Sequence, residues 1–157
     1  GNQEASRRDK KKLADIKNSW YREYIGEMQP QDLLPGALEF LEELTEEHIL
    51  IAIGSASRNA PTIVRQVQIG TYLDALIDGS KVKKGKPDPE VFLKAAEEIG
   101  AEPEHCVVFE DAQAGIEAAR NGGMRVIGVG SDKVLHDADM IIPGLDHINL
   151  EKLKTLE

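Results

Sequence analysis

The chain has 157 residues, 28 of them acidic and 19 basic, with a formal net charge of −9 at pH 7. Its length suits one α/β domain with a small addition, and its negative charge disfavours nucleic acid or an anionic membrane as a partner. No run of about 18 apolar residues predicts a membrane span, and no apolar signal core follows the basic start. With a single cysteine, Cys106, the chain cannot form an internal disulfide. We expect Cys106 to be a buried, inert thiol in the predicted strand 106–109. The cysteine content and the lack of a signal sequence predict a cytoplasmic protein.

The first part of the chain predicts one long amphipathic helix over residues 4–25. Leu13, Ile16, Trp20 and Tyr24 are spaced three or four residues apart and form one apolar stripe. Prolines and a glycine between residues 30 and 36 then break the pattern. We therefore predict two units, a helical segment over residues 1–28 and a core over residues 29–157.

From residue 37 onward, predicted helices and strands alternate. The predicted helices are 37–47, 60–68, 88–99, 113–120 and 150–156, and the predicted strands are 49–54, 75–78, 106–109, 125–129 and 140–142. This alternation predicts an α/β fold, a Rossmann-like parallel sheet with helices on both faces.

Two adjacent carboxylates, Glu110 and Asp111, stand where a predicted strand ends and a helix is about to begin. Ligands of open α/β sheets bind outside the carboxyl ends of the strands. A pair of carboxylates at that place offers hard oxygen ligands suited to Mg²⁺. The alternative is that Asp111 only caps the helix and Glu110 is solvated.

Two further segments carry groups suited to phosphate. The run Gly54-Ser55-Ala56-Ser57-Arg58-Asn59 follows a predicted strand, so its hydroxyls, amides and guanidinium could surround an oxyanion. A loop with an ordinary Ser or Asn cap is the alternative. Lys86 precedes a proline that keeps it extended, and its ammonium could neutralise phosphate charge. A surface lysine is the alternative there, and we accept it for Lys83 and Lys84.

In chain order, Ser55, Lys86-Pro87-x-Pro89 and Glu110-Asp111-x-x-x-Gly115 resemble the second, third and fourth motifs of the haloacid dehalogenase superfamily of phosphotransferases. Within that superfamily the chain resembles the β-phosphoglucomutases, from about Leu13 to its C-terminus. Residues 54–59 are similar to their phosphate loop, and residues 110–116 are similar to their metal loop. Lys17-Asn18 resembles the pair by which their helical cap domain holds the sugar phosphate.

The resemblance implies Mg²⁺-dependent phosphoryl transfer that converts β-glucose 1-phosphate to glucose 6-phosphate through a bisphosphate intermediate. It implies catalytic roles for Ser55 and Lys86 and a metal site at Glu110 and Asp111. It implies substrate contacts for Lys17, Asn18, Ala56, Ser57, Arg58 and Asn59. The implied protein is a cytoplasmic monomer. A sugar-phosphate phosphatase and a catalytically inactive phosphate-binding module remain alternatives.

The superfamily's first motif has no counterpart in this chain. That motif is a strand ending in Asp-x-Asp-Gly, whose first aspartate is the nucleophile that becomes an aspartyl-phosphate. Asp137-Ala138-Asp139 does not follow a predicted strand, so we reject it as a substitute. The resemblance places the absent strand centrally, between the strands that end near Ser55 and Glu110. We therefore expect a gap in the sheet, with backbone groups left unpaired, and no turnover by the chain alone.

Overall fold

The computed structural model describes residues 2–156, and side chains from residue 7. Its helices are α1 (Asn2–Glu27), α2 (Ala37–Glu46), α3 (Ala60–Gln66), α4 (Glu90–Glu98), α5 (Gln113–Asn121) and α6 (Leu150–Lys154). Its strands are β1 (Ala52–Gly54), β2 (Ala75–Ile77), β3 (Val107–Glu110), β4 (Arg125–Val129) and β5 (Met140–Ile142). The predicted α/β fold is confirmed.

All strand pairs are parallel, but they form two separate sheets. β1 pairs with β2, with Ala52 opposite Ala75. β4 lies between β3 and β5, with Val107 opposite Arg125 and Ile127 opposite Met140. Helices cover both faces, because α4 and α5 pack into one apolar core while α2 and α6 pack into another.

A gap separates β1 from β3, the facing edges of the two sheets. Between them lies an apolar cavity of about 1020 Å³, lined by both strands. Phe40 of α2 and Phe92 of α4 line it as well. The expected gap in the sheet is therefore present in the structure, at the place where the resemblance puts the absent strand.

Burial along the strands follows from this gap. Val126 and Ile127 of β4, which has a strand on each side, are fully buried. Every residue of β1 is only half-buried, although interior strands of a parallel sheet covered on both faces are normally buried throughout. β1 also begins at Ala52 rather than at residue 49, and Leu50 is 54% exposed. A single neighbouring strand gives β1 hydrogen-bond partners along one edge only.

The long helix α1 meets the rest of the chain near its C-terminal end. Ile25 is buried, and the side-chain amide of Gln66 on α3 donates to the carbonyl of Gly26. In contrast, Trp20 and Tyr24 of the apolar stripe are exposed. The division of the chain at residue 28 stays a prediction.

Within residues 2–156, no helix combines the length and the apolar character needed to cross a membrane.

The prediction for Cys106 was wrong. A short 3₁₀ turn covers Pro103–His105, and β3 begins only at Val107. Cys106 therefore precedes the strand, and it is only half-buried. Its thiol donates to the carbonyl oxygen of Glu102 at 3.4 Å. Partial burial raises the pKa of the Cys106 thiol.

Candidate active site

The loop after β1, residues 54–59, is organised by its own hydroxyl groups. The Ser55 amide donates to the carbonyl of Ile77 at 2.8 Å, which extends the pairing of β1 with β2. The Ser55 hydroxyl accepts from the Ser57 amide, and the Ser57 hydroxyl accepts from the Asn59 amide, both at 3.1 Å. Ala56 and Arg58 are exposed. Asn59 precedes α3 without a side-chain cap bond. The loop therefore has a defined backbone shape with an exposed cationic side chain.

The loop after β2 supports this first loop. The Gly79 amide donates to the Ser57 carbonyl at 3.1 Å, and a methyl group on Gly79 would overlap the Ala56 carbonyl. Asp78 precedes Gly79, and the pKa of its carboxyl is below the usual value. The main cause is hydrogen bonding from the hydroxyl and amide of Ser80, and the positive charges of Lys81 and Arg58 add to it. Asp78 is therefore an anionic neighbour of Arg58.

Lys86 is held in a fixed position in front of α4. Its ammonium lies 2.6 Å from Glu110 Oε2 and 4.7 Å from the centre of the Phe92 ring, and its side chain is 21% exposed. The side-chain amide of Asn121 donates to the Pro87 carbonyl at 3.1 Å, which ties the loop to α5. The interpretation of Lys86 as a free surface lysine does not fit these contacts.

Glu110 ends β3, and its carboxylate is held over the start of α5. Its side chain is 10% exposed, and its Oε1 accepts from the Ala112 amide at 3.3 Å. Asp111 is exposed. The α5 N-cap residue is Ala112, with no side-chain cap bond, so Asp111 is not the cap of this helix.

A chain of contacts joins the ends of the two sheets. The Phe92 ring packs against Gly54, the last residue of β1, where an added Cβ would lie 3.1 Å from Phe92 Cδ1. The same ring lies below Lys86, and Lys86 pairs with Glu110 at the end of β3. The loop after β1 and the carboxylate after β3 are thus joined through one aromatic ring and one lysine.

The donor set at this edge fits Mg²⁺. Glu110 and Asp111 offer two adjacent carboxylates, and Mg²⁺ is usually held by one or two carboxylates together with waters and substrate phosphates. Among residues 7–156, whose side chains the structure describes, no group of three or more His, Cys, Asp or Glu side chains is placed to hold a metal ion. Any further ligands would therefore be other protein oxygens, water or the substrate.

Two predicted substrate residues lie on a different element. Lys17 and Asn18 are exposed residues of α1. In the described part of the chain, neither makes a hydrogen bond or ion pair with residues 54–59. Their implied role stays a prediction.

Asp139, one of the two rejected aspartates, lies at the opposite edge of the sheet from the candidate site. The Asp139 carboxylate accepts from the Val126 amide at 2.7 Å, near the start of β4, and directly precedes β5. Both positions are at the amino edge of the sheet, so Asp139 cannot act with Glu110 at the carboxyl edge.

Sequence reasoning missed Phe92, Asp78 and Gly79. Phe92 has the spacing of an ordinary core residue in α4, and nothing local marks it as the support of Lys86. Asp78 and Gly79 follow a strand, so the rule that ligands bind outside the carboxyl ends of strands could have identified them. They were missed because Asp78 was counted as the end of the predicted strand 75–78.

Comparison with known proteins gives a consistent picture. The sequence model of the haloacid dehalogenase-like hydrolase family matches residues 2–123 of this chain. The chain is 39% identical over 145 residues to a β-phosphoglucomutase of Bacillus subtilis. This alignment covers 92% of the chain and 64% of the Bacillus protein. It is also 39% identical over 98 residues to a phosphorylated carbohydrates phosphatase of Thermotoga maritima, covering 60% of the chain and 45% of that protein.

A solved structure shows the same fold. The crystal structure of β-phosphoglucomutase from Clostridium difficile superposes with a TM-score of 0.87 at 32% identity, covering 92% of the chain and 65% of that protein. The chain thus spans slightly less than two thirds of the length of both β-phosphoglucomutases.

Proposed function

Because the chain belongs to the haloacid dehalogenase-like hydrolase family, we propose that it forms the phosphate- and metal-binding part of an Mg²⁺-dependent β-phosphoglucomutase. The reaction proposed is the conversion of β-glucose 1-phosphate to glucose 6-phosphate through a bisphosphate. The observation that supports this proposal is the contact chain Gly54–Phe92–Lys86–Glu110, which joins the loop after β1 to the carboxylate at the end of β3. The similarity to two β-phosphoglucomutases supports the choice of reaction.

The roles follow from the chemistry of each group. Ser55 and Lys86 would bind the oxygens of the transferring phosphoryl group, whose charge must be stabilised in the transition state. Arg58 and Asn59, with Lys17 and Asn18 from α1, would hold the sugar and the second phosphate. Glu110 and Asp111 would hold Mg²⁺, which supplies positive charge beside the phosphoryl oxygens. The nucleophile in this proposal is an aspartate on a strand lying between β1 and β3, outside this chain.

A sugar-phosphate phosphatase is the second candidate. The identity to the Thermotoga phosphatase matches that to the Bacillus mutase, over a shorter segment. A phosphatase has less need of the second phosphate site, so the exposed Arg58 in the loop after β1 favours a mutase. An inactive binding module is disfavoured, because the other phosphate and metal residues of the motifs are all present.

The test is complementation with the absent strand. The chain is produced alone and together with a separate segment that carries the superfamily's Asp-x-Asp strand, and glucose 6-phosphate formation is measured. We expect no turnover from the chain alone and turnover from the pair. The same segment with the first aspartate changed to asparagine is the control and should be inactive. Turnover by the chain alone would contradict the proposal, and release of free phosphate without glucose 6-phosphate would favour the phosphatase.

A further inference from the structure

The ion pair between Lys86 and Glu110 joins two residues to which the proposed function gives different partners. Their charged atoms are 2.6 Å apart, and the side chains are 21% and 10% exposed. Lys86 would bind an oxyanion, while Glu110 would bind a cation. In the structure each of the two charges neutralises the other.

The pair is supported on both sides. Phe92 lies under the ammonium, and the Ala112 amide donates to the carboxylate. Leaving either charge unpaired in such a shielded place is unfavourable, because a largely buried ion without a partner retains most of its desolvation cost. Each residue can therefore be released readily only when a new partner replaces the old one.

We propose that the Lys86–Glu110 ion pair couples cation binding to phosphate binding, so that each ligand releases the residue that the other ligand needs. This inference rests on the proposed function. A cation on the Glu110 carboxylate takes the counter-ion from Lys86 and leaves its ammonium free for the oxyanion. An oxyanion on Lys86 leaves the carboxylate free for the cation. By linkage, each ligand must raise the affinity for the other by the same factor.

The first experiment titrates inorganic phosphate into the 157-residue chain by calorimetry, at constant ionic strength. We expect saturating Mg²⁺ to tighten phosphate binding about fivefold or more. Glu110→Gln should tighten phosphate binding about fivefold in the absence of Mg²⁺, because Lys86 is released, and added Mg²⁺ should then have little effect. Glu117→Gln is the matched control, since it removes the same charge from an exposed residue of α5 outside the proposed site. It should change cation-free phosphate affinity less than about twofold.

The second experiment approaches the pair from the other side, with Mg²⁺ alone as the ligand. Lys86→Met should tighten Mg²⁺ binding about fivefold, because the carboxylate loses its competing partner. Lys84→Met is the control, since Lys84 is 71% exposed and its ion-pair partner is Asp88. This control should leave Mg²⁺ affinity unchanged.

Two results would overturn the inference. One is an equal rise in cation-free phosphate affinity for Glu110→Gln and Glu117→Gln, which would mean that net charge alone acts. The other is independent binding of phosphate and Mg²⁺ by the unaltered chain. Failure to bind either ligand at any concentration would instead contradict the proposed site itself, and the inference with it.

Discussion

Gly115 lies directly beneath the Glu110 carboxylate, so close that a methyl group on Gly115 would overlap the carboxylate carbon. Gly115 is buried in the first turn of α5. A glycine there normally weakens a helix by about 1 kcal/mol relative to alanine. The Glu110 side chain occupies the space that a larger residue at this position would fill.

Gly115→Ala should therefore displace the Glu110 carboxylate. We expect weaker Mg²⁺ binding by calorimetry, about tenfold, as when one charge-assisted contact worth about 1.4 kcal/mol is lost. Gly85→Ala is the control, because nothing lies within 4 Å of an added Cβ there. Unchanged Mg²⁺ affinity in Gly115→Ala would show that the position of Glu110 does not matter for the metal.

Gly79→Ala should distort the loop after β1, since the added methyl group would overlap the Ala56 carbonyl. We expect a loss of phosphate affinity of about tenfold, because the loop amides and Ser55, which are proposed to bind one oxyanion, would be displaced. The control is Gly70→Ala, whose Cβ would meet its nearest atom at 3.7 Å. An equal loss in both variants would point to general destabilisation.

Arg58→Ala and Lys17→Ala should separate mutase from phosphatase activity in the complemented protein. Loss of one charged contact to phosphate is worth about 1.5–3 kcal/mol, so glucose 6-phosphate formation should slow roughly ten- to a hundredfold. Release of free phosphate should suffer less, since hydrolysis does not require the second phosphate to be held. The exposed residues Arg65 and Lys12 provide matched controls. If phosphate release dominates and both variants leave it intact, the phosphatase is the correct function.

Glu90 should make the fold more stable at neutral than at acid pH. Its carboxylate accepts from the Lys84 and Lys83 amides and pairs with Lys94, and these contacts hold its pKa below 4.5. Because the pKa is lower in the folded state, the stabilisation is present above pH 4.5 and is lost as the pH falls through the folded-state value.

The measurement compares the melting temperatures of Glu90→Gln and the unaltered chain at pH 7 and near pH 3. The variant should melt lower at pH 7, and the difference should shrink at acid pH. Glu98→Gln, at an exposed position on the same helix, is the control. A difference that does not depend on pH would contradict this account of Glu90.

The strand-end motifs could be found in the sequence because their rule is local: a polar run directly follows an apolar strand. Ser55 and Glu110 were identified in this way. The pairing of Lys86 with Glu110 could not be predicted, since they are 24 positions apart in the sequence and their distance depends on how α4 packs. The gap beside β1 was expected only through the family resemblance, because no local pattern shows that a neighbouring strand is absent.

The separation of the two sheets has a consequence for how the backbone opens. Within residues 2–156, β4 is the only strand with a hydrogen-bonded neighbour on both sides, and its central residues are fully buried. Amide protons exchange slowly where opening requires the loss of much packed structure. Those of β4 are therefore expected to exchange last. The amides of β1 and β2 should exchange first among the strands, so that the loop carrying Ser55 opens while the Glu110 side of the site is still folded.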